Sequence, residues 1–168
     1  MIPDYRETDK PANDAVRFVA DGMLGRLAKW LRILGFDTMY DPALDDHALL
    51  RLARAEGRVL LTCDRELARH PGAQSLLIES LELDAQLRQV INDLHLHPDA
   101  TFSRCPVCNT PLAALEKEAV RDRVPAHVFE THPEFHCCPR CDRIYWSGTH
   151  HARMLETLAR LRNQTSNG

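Results

Sequence analysis

Four short runs rich in apolar and β-branched residues, each followed by a helical or turn pattern, constrain this chain more than any other feature. The runs are Val16–Ala20, Phe36–Tyr40, Arg58–Thr62 and Gln74–Ile78. The segments between them read as a helix over Met23–Leu34, a helix over His47–Glu56 and a short helical turn over Arg65–His70. An amphipathic helix over Leu83–Leu94 follows the last run. In the first helix Leu24, Leu27, Ala28, Leu31 and Leu34 recur at helical spacing, and Gly35 stands where a helix-ending glycine is expected. Parallel strands need crossovers of this length, and the helices then cover the sheet faces. Arg58–Thr62 is almost continuously apolar, as a strand buried on both faces should be. The expectation is an α/β fold with a mostly parallel sheet. Its strand carboxyl ends share one edge, where open α/β sheets bind ligands.

The alternation stops at His95. Two C-P-x-C pairs follow, Cys105/Cys108 and Cys138/Cys141. Each pair grips a tetrahedral Zn²⁺ from a tight turn, and four thiolates leave no open position, so the zinc is expected to be structural. The 29 residues between the pairs exceed a minimal zinc ribbon and require an insertion, with helical pieces at Glu116–Asp122 and Pro125–His132. Cys137, His136 and His132 are alternative ligands beside the second pair. Thr149–Arg162 reads as a terminal helix through Met154, Leu155, Leu158 and Leu161. The expected organisation is a flexible tail (1–15), an α/β domain (16–100), a zinc module with a terminal helix (101–162) and a disordered tail (163–168).

The 168 residues are 44% hydrophobic and 27% charged, which suits a packed globular chain and excludes low-complexity or collagen-like structure. The net charge of -3 excludes a uniformly basic nucleic-acid coat. It is unevenly distributed. Residues 1–100 hold twelve basic and seventeen acidic side chains, whereas residues 101–168 hold nine basic, seven acidic and five of the nine histidines. No secretory leader and no membrane-length apolar run is visible, so a soluble, cytoplasmic protein in a reducing compartment is expected.

The surplus carboxylates fall at informative places. Asp21 follows the first strand, Asp45 and Asp46 open the helix after the second, and Asp64 follows the third. Acids that converge repel one another unless a cation neutralises them. Oxygen ligands with open coordination suit Mg²⁺ or Mn²⁺, which assists in-line attack on a phosphodiester. Each of these residues also suits a helix cap, and both readings stand at this point. Arg26, Lys29, Arg32 and Arg65 are the nearest cations in sequence, and the first three otherwise read as a solvated helix face. Trp30 and Phe36 read as core. Cys63, without an evident base, reads as a small buried residue rather than a nucleophile.

Three blocks together are specific: Phe18-Val19-Ala20-Asp21-Gly22-Met23-Leu24-Gly25-Arg26-Leu27-Ala28-Lys29-Trp30-Leu31-Arg32, then Leu60-Leu61-Thr62-Cys63-Asp64-Arg65-Glu66-Leu67-Ala68, then the two C-P-x-C pairs with Ile144-Tyr145-Trp146-Ser147-Gly148-Thr149-His150. Over about residues 16–155 the chain resembles the Mut7-C RNase domain family, a branch of the PIN-like nuclease superfamily with a C-terminal zinc ribbon. The resemblance implies a PIN-like three-layer α/β/α fold and a metal-dependent ribonuclease. By motif position it implies Asp21, Asp46 and Asp64 as catalytic acids, Asp45 as an alternative to Asp46, and Glu66 as a further acid. It also implies Arg26 and Arg65 as basic motif positions and Cys105, Cys108, Cys138 and Cys141 as zinc ligands. Position 63 departs from similar sequences, with Cys where Arg is usual, and so does Cys137, where no ligand is expected.

The leading expectation is therefore hydrolysis of RNA at a carboxylate-bound Mg²⁺ or Mn²⁺, with Arg26, Lys29 and Arg65 positioning the backbone and the ribbon aiding RNA docking. RNA is the expected partner, with a protein partner or antitoxin-like regulator as a further class. A non-catalytic RNA- or protein-binding module is the alternative. A redox or zinc sensor built on Cys137 is a third reading.

Overall fold

The computed structural model describes residues 16–98 and 103–148, together with 152, 153, 156, 157, 159 and 160. The expected tails at 1–15 and 163–168 lie outside the described residues. So do Met154, Leu155, Leu158 and Leu161, the expected apolar positions of the terminal helix. The described residues of that helix are helical.

The first half is β1 (Phe18–Ala20), α1 (Gly25–Ile33), β2 (Thr38–Tyr40), α2 (Asp46–Glu56), β3 (Val59–Thr62), α3 (Arg65–Ala68), β4 (Ser75–Leu77) and α4 (Leu83–Asp93). Each element falls within the run that predicts it or, for α2, begins one residue earlier. The four strands form a parallel sheet in the order β2-β1-β3-β4. Strand alternation sorts the core. Phe18, Ala20, Val59 and Leu61 face the apolar cluster built with α1 and α4, including Leu27, Leu31, Leu87 and Val90. Val19 and Leu60 face the other way, onto Leu49, Leu50 and Ala53 of α2 and Leu67 of α3. Fully burying one such side chain contributes roughly 1.5–3 kcal/mol, which explains why β1 and β3, buried throughout, are the least polar segments. Phe36 is fully buried with its ring edge-on to Phe18 at 5.8 Å, and Gly35 turns the chain out of α1 with φ of 92°.

The second half is β5 (Ala113–Leu115), a 3₁₀ turn (Lys117–Val120), α5 (Ala126–Thr131), β6 (Phe135–Cys137) and β7 (Ile144–Trp146). These strands form an antiparallel sheet in the order β5-β6-β7. The insertion between the cysteine pairs supplies a small core of Val120, Val128 and Phe135. Trp146 packs on Phe135 and His132 with ring centroids 6.4 and 6.5 Å away. Among the described residues no helix is long and apolar enough to cross a membrane.

Candidate active site and metal centre

All four strands of the parallel sheet end at one edge, and the predicted acids occupy it. Asp21 leaves β1, and its backbone N–H still donates to Leu61 O at 3.0 Å. One carboxylate oxygen, Oδ2, accepts from the Thr62 hydroxyl and from the Cys63 N–H at 3.2 Å; the other, Oδ1, accepts from Met23 N–H at 2.9 Å. Thr62 Oγ1 in turn accepts from Asp64 N–H at 3.0 Å. One buried threonine thus links two acids that lie 43 positions apart in the chain. Gly25 lets α1 start close to this edge. A Cβ there would sit 2.8 Å from the Tyr40 hydroxyl, which donates to Gly22 O at 2.8 Å.

The capping alternative holds for some of these acids and fails for others. Asp64 Oδ1 caps α3, accepting from Glu66 and Leu67 N–H at 2.8 and 3.1 Å. Asp45 caps α2 through Ala48 N–H at 2.8 Å. Asp21 is not a cap. The N-cap residue of α1 is Leu24, which makes no side-chain cap bond, and Asp21 instead closes the turn that precedes the helix. Asp46, exposed in the first turn of α2, caps nothing. Glu66 is exposed in the first turn of α3. Sequence reading passed over Asp41, the residue that follows β2 and closes its own turn onto Ala43 N–H at 2.9 Å. The rule that flagged Asp21 and Asp64, an acid at a strand's carboxyl end, applies to it equally. The acids share an edge without closing into a tight cluster. Among the described residues, the only potential metal-binding group of three or more His, Cys, Asp or Glu side chains is made of cysteines. Cys63 is half-buried, and burial, then the Asp21 charge, pushes its thiol pKa up, which keeps it protonated and a poor nucleophile.

That cysteine group is Cys105, Cys108, Cys138 and Cys141, with all four Sγ atoms within 4.8 Å of one another. The two C-P-x-C turns share one geometry. In the first, Cys105 N–H donates to Thr110 O and Asn109 N–H donates to Cys105 O. In the second, Cys138 N–H donates to Arg143 O and Asp142 N–H donates to Cys138 O. The residue after each second cysteine is left-handed, Asn109 at φ 70° and Asp142 at φ 54°, a conformation that Asn and Asp tolerate best among residues with a Cβ. A tetrahedral Zn²⁺ with Zn–S bonds of about 2.3 Å has S–S edges of about 3.8 Å. The sulfurs are spaced for such an ion, and the thiolate donor set is compatible with zinc. Their protonation states are driven apart. Burial raises the Cys108 thiol, but the Thr110 side chain and backbone and the neighbouring sulfurs outweigh it and bring it to about 6. Cys141, facing Cys108 above all, is pushed up to about 12. Thiols this close do not all ionise without a cation between them. Tyr145 places its hydroxyl 3.1 Å from Cys105 Sγ. Neither Cys137 nor His136 joins the group, and His132 packs its ring on Trp146 instead.

Comparison with known proteins decides the family. The model of the Mut7-C RNAse domain matches residues 16–158. The chain belongs to the Mut7-C RNAse domain family. It is also similar to the human protein named exonuclease mut-7 homolog, 36% identical over 104 residues. That match covers 56% of this chain and 12% of the relative, so the similarity spans only a small part of the longer protein. No solved structure is significantly similar to it.

The basic residues expected near the acids divide. Arg26 and Lys29 are exposed on α1 and Arg65 is exposed on α3, helices that pack against opposite faces of the sheet. Arg32 is not part of a solvated stripe. It is 6% exposed and donates to Thr38 O at 2.9 Å, Pro106 O at 3.1 Å and Val107 O at 3.0 Å. Arg32 thereby docks the first cysteine turn onto the end of α1 and the edge strand β2. Asn109 completes the joint: its Oδ1 accepts from Thr38 N–H at 3.0 Å and its Nδ2 donates to Asp37 Oδ1 at 2.7 Å. An edge-strand N–H that the sheet leaves unpaired is satisfied by the first cysteine turn. Burial alone would raise the Asp37 pKa, but the hydrogen bonds from Arg58 and Asn109 outweigh it and hold it below the ordinary value. Sequence reading missed this joint. The available signal was Arg32 four residues after Ala28, on the buried side of the helix. The joint lies where β2 and β3 begin, the opposite edge from the acids. In the cysteine-bearing half, Arg121 and Arg123 pair with Glu118 and Asp142.

Proposed function

We propose that the chain is a metal-dependent ribonuclease with a PIN-like three-layer fold, its reaction centred on Asp21, Asp46 and Asp64. The observation that carries this reading is the Asp21–Thr62–Asp64 link at the carboxyl edge of a parallel sheet, in a chain of an RNAse family. Thr62 and the Cys63 N–H orient Asp21 Oδ2, and the cap bonds of Asp64 engage only its Oδ1. Among the described residues no hydrogen bond or ion pair engages Asp64 Oδ2 or the Asp46 carboxylate, so the edge keeps oxygens for a hard cation. A bound Mg²⁺ or Mn²⁺ supplies a water of lowered pKa and neutralises charge on the phosphate. The protein's own contribution is to hold the acids at fixed angles and to keep Cys63 neutral beside them. Asp45, as the cap of α2, and Glu66 act around the site rather than in it. Residues 16–100 form the nuclease unit and residues 101–162 the zinc unit. Zn²⁺ on the four cysteines is structural: it fixes the turn that closes the far edge of the sheet. Any contact of the zinc unit with RNA is secondary to that duty.

The test is cleavage of a panel of labelled RNAs by zinc-loaded protein, with and without added Mg²⁺ or Mn²⁺. Turnover should require the added cation and disappear in Asp21→Asn, which keeps an acceptor for Thr62. Turnover that persists in this variant, or without the cation, overturns the assignment. RNA binding without turnover under every condition favours the non-catalytic binding module.

A further inference from the structure

The exposed residues of α2, with the edge of the buried Leu50, form one wall of a pocket of about 500 Å³, lined by His47, Leu50, Arg51, Arg54, Ala55 and His70. We infer that this pocket is a binding track for the phosphodiester backbone of a single-stranded polynucleotide whose reacting bond lies at the acidic edge. The inference rests on the ribonuclease reading above and gives that site its substrate-positioning groups.

The lining holds two arginines, two histidines and no carboxylate. Among the described residues neither Arg51 nor Arg54 takes part in an ion pair, although the chain is acidic overall. His47, Arg51 and Arg54 recur at positions i, i+4 and i+7, which places them on one face of the helix. They span roughly 10 Å along its axis, about the rise of three nucleotides. The track begins beside the acids, since His47 directly follows Asp46. Its far wall is built to hold a guanidinium in place. Arg54 Nε donates to Gly72 O at 3.1 Å and Nη2 donates to Pro71 O at 2.7 Å, with His70 Nδ1 3.1 Å away. Gly72 has φ of 87°, and a Cβ there would lie 3.1 Å from Arg54 Nε. Arg54 is thus fixed before any ligand arrives, while Arg51 is free to reach a phosphate. The exposed Ala55, with the fringe of the otherwise core-packed Leu50, gives the floor a small apolar surface against which a sugar or base edge can lie. Arg26 and Lys29 sit on α1, against the other face of the sheet, and do not line this track.

The experiment uses the full zinc-loaded chain and a labelled single-stranded RNA of about twenty nucleotides. Anisotropy is followed over a range of salt without added Mg²⁺ or Mn²⁺, and cleavage is then measured with them. Arg51→Glu should weaken binding about tenfold and make the salt dependence shallower by about 0.7 in log–log slope. Arg51→Gln should give a smaller loss in the same direction. Arg88→Glu, the same charge change on α4 against the opposite face, should bind and cleave like wild type. If wild type cleaves while the Arg51 and Arg88 variants behave alike, the track is wrong and the ribonuclease reading stands. If wild type neither binds nor cleaves, both fall together. Unchanged melting temperatures show that any loss in the Arg51 variants is not unfolding.

Discussion

Asn109→Ala should destabilise the whole chain, although Asn109 is half-exposed and far from the acids. The substitution removes two hydrogen bonds and places a Cβ-bearing residue without a polar side chain at φ 70°. Thr38 is 0% exposed, so its N–H finds no water in exchange, and an orphaned buried donor costs roughly 1–3 kcal/mol. Alanine in the left-handed region adds about 1 kcal/mol. The sum is about 3 kcal/mol, which for a chain of this size lowers Tm by about 6–12 °C. Asn109→Gly loses the same bonds but not the backbone preference, and should recover about 1 kcal/mol of the loss. The assay is thermal and urea unfolding with zinc quantified in every sample, so that a metal-free fraction is not mistaken for a weaker joint. A fully loaded Asn109→Ala protein that melts within about 1 °C of wild type would refute the claim that this turn seals the β2 edge.

Other consequences are as specific. Gly25→Ala should cost about 1–3 kcal/mol, because the added Cβ meets the rigid Tyr40 ring rather than a flexible chain end; calorimetry checks it. Asp37 has a folded pKa below its ordinary 3.8, so its contribution is complete above that value and is lost as pH falls through the lower folded value. Asp37→Asn should therefore be less stable at neutral pH, and its deficit relative to wild type should shrink on acidification through that window. Chelating the metal should expose the Thr38 amide to hydrogen exchange while Leu60, in the middle of the sheet, stays protected.

The strand and helix order of the first half was legible because periodicity there reflects burial on two faces. Arg58–Thr62 reads as apolar because both clusters need it, and the sheet keeps Val59 and Leu61 on one side and Leu60 on the other. The grouping of the four cysteines was legible because the spacing within each C-P-x-C pair is a local constraint. The joint between the halves was not. Arg32 to Val107 and Thr38 to Asn109 pair residues more than 70 positions apart, and nothing in either local pattern announces the other. Arg32 also illustrates a false periodicity. Its spacing with Arg26 and Lys29 mimics a solvated stripe, although four-residue spacing from Ala28 places it on the buried side. The acids were found by position, but their separate jobs were not, because a cap such as Asp45 and the uncapped Asp46 differ only in where the helix starts.

The central claim is that the carboxyl edge of the parallel sheet cuts RNA, and the rate of Asp64→Asn tests it most directly. Asparagine still caps α3, so fold, melting temperature and zinc content should match wild type. The account predicts that cleavage with saturating Mg²⁺ or Mn²⁺ falls by at least about a hundredfold, the scale on which positioned catalytic groups act. Cleavage at the wild-type rate in a folded, zinc-loaded Asp64→Asn protein would contradict it.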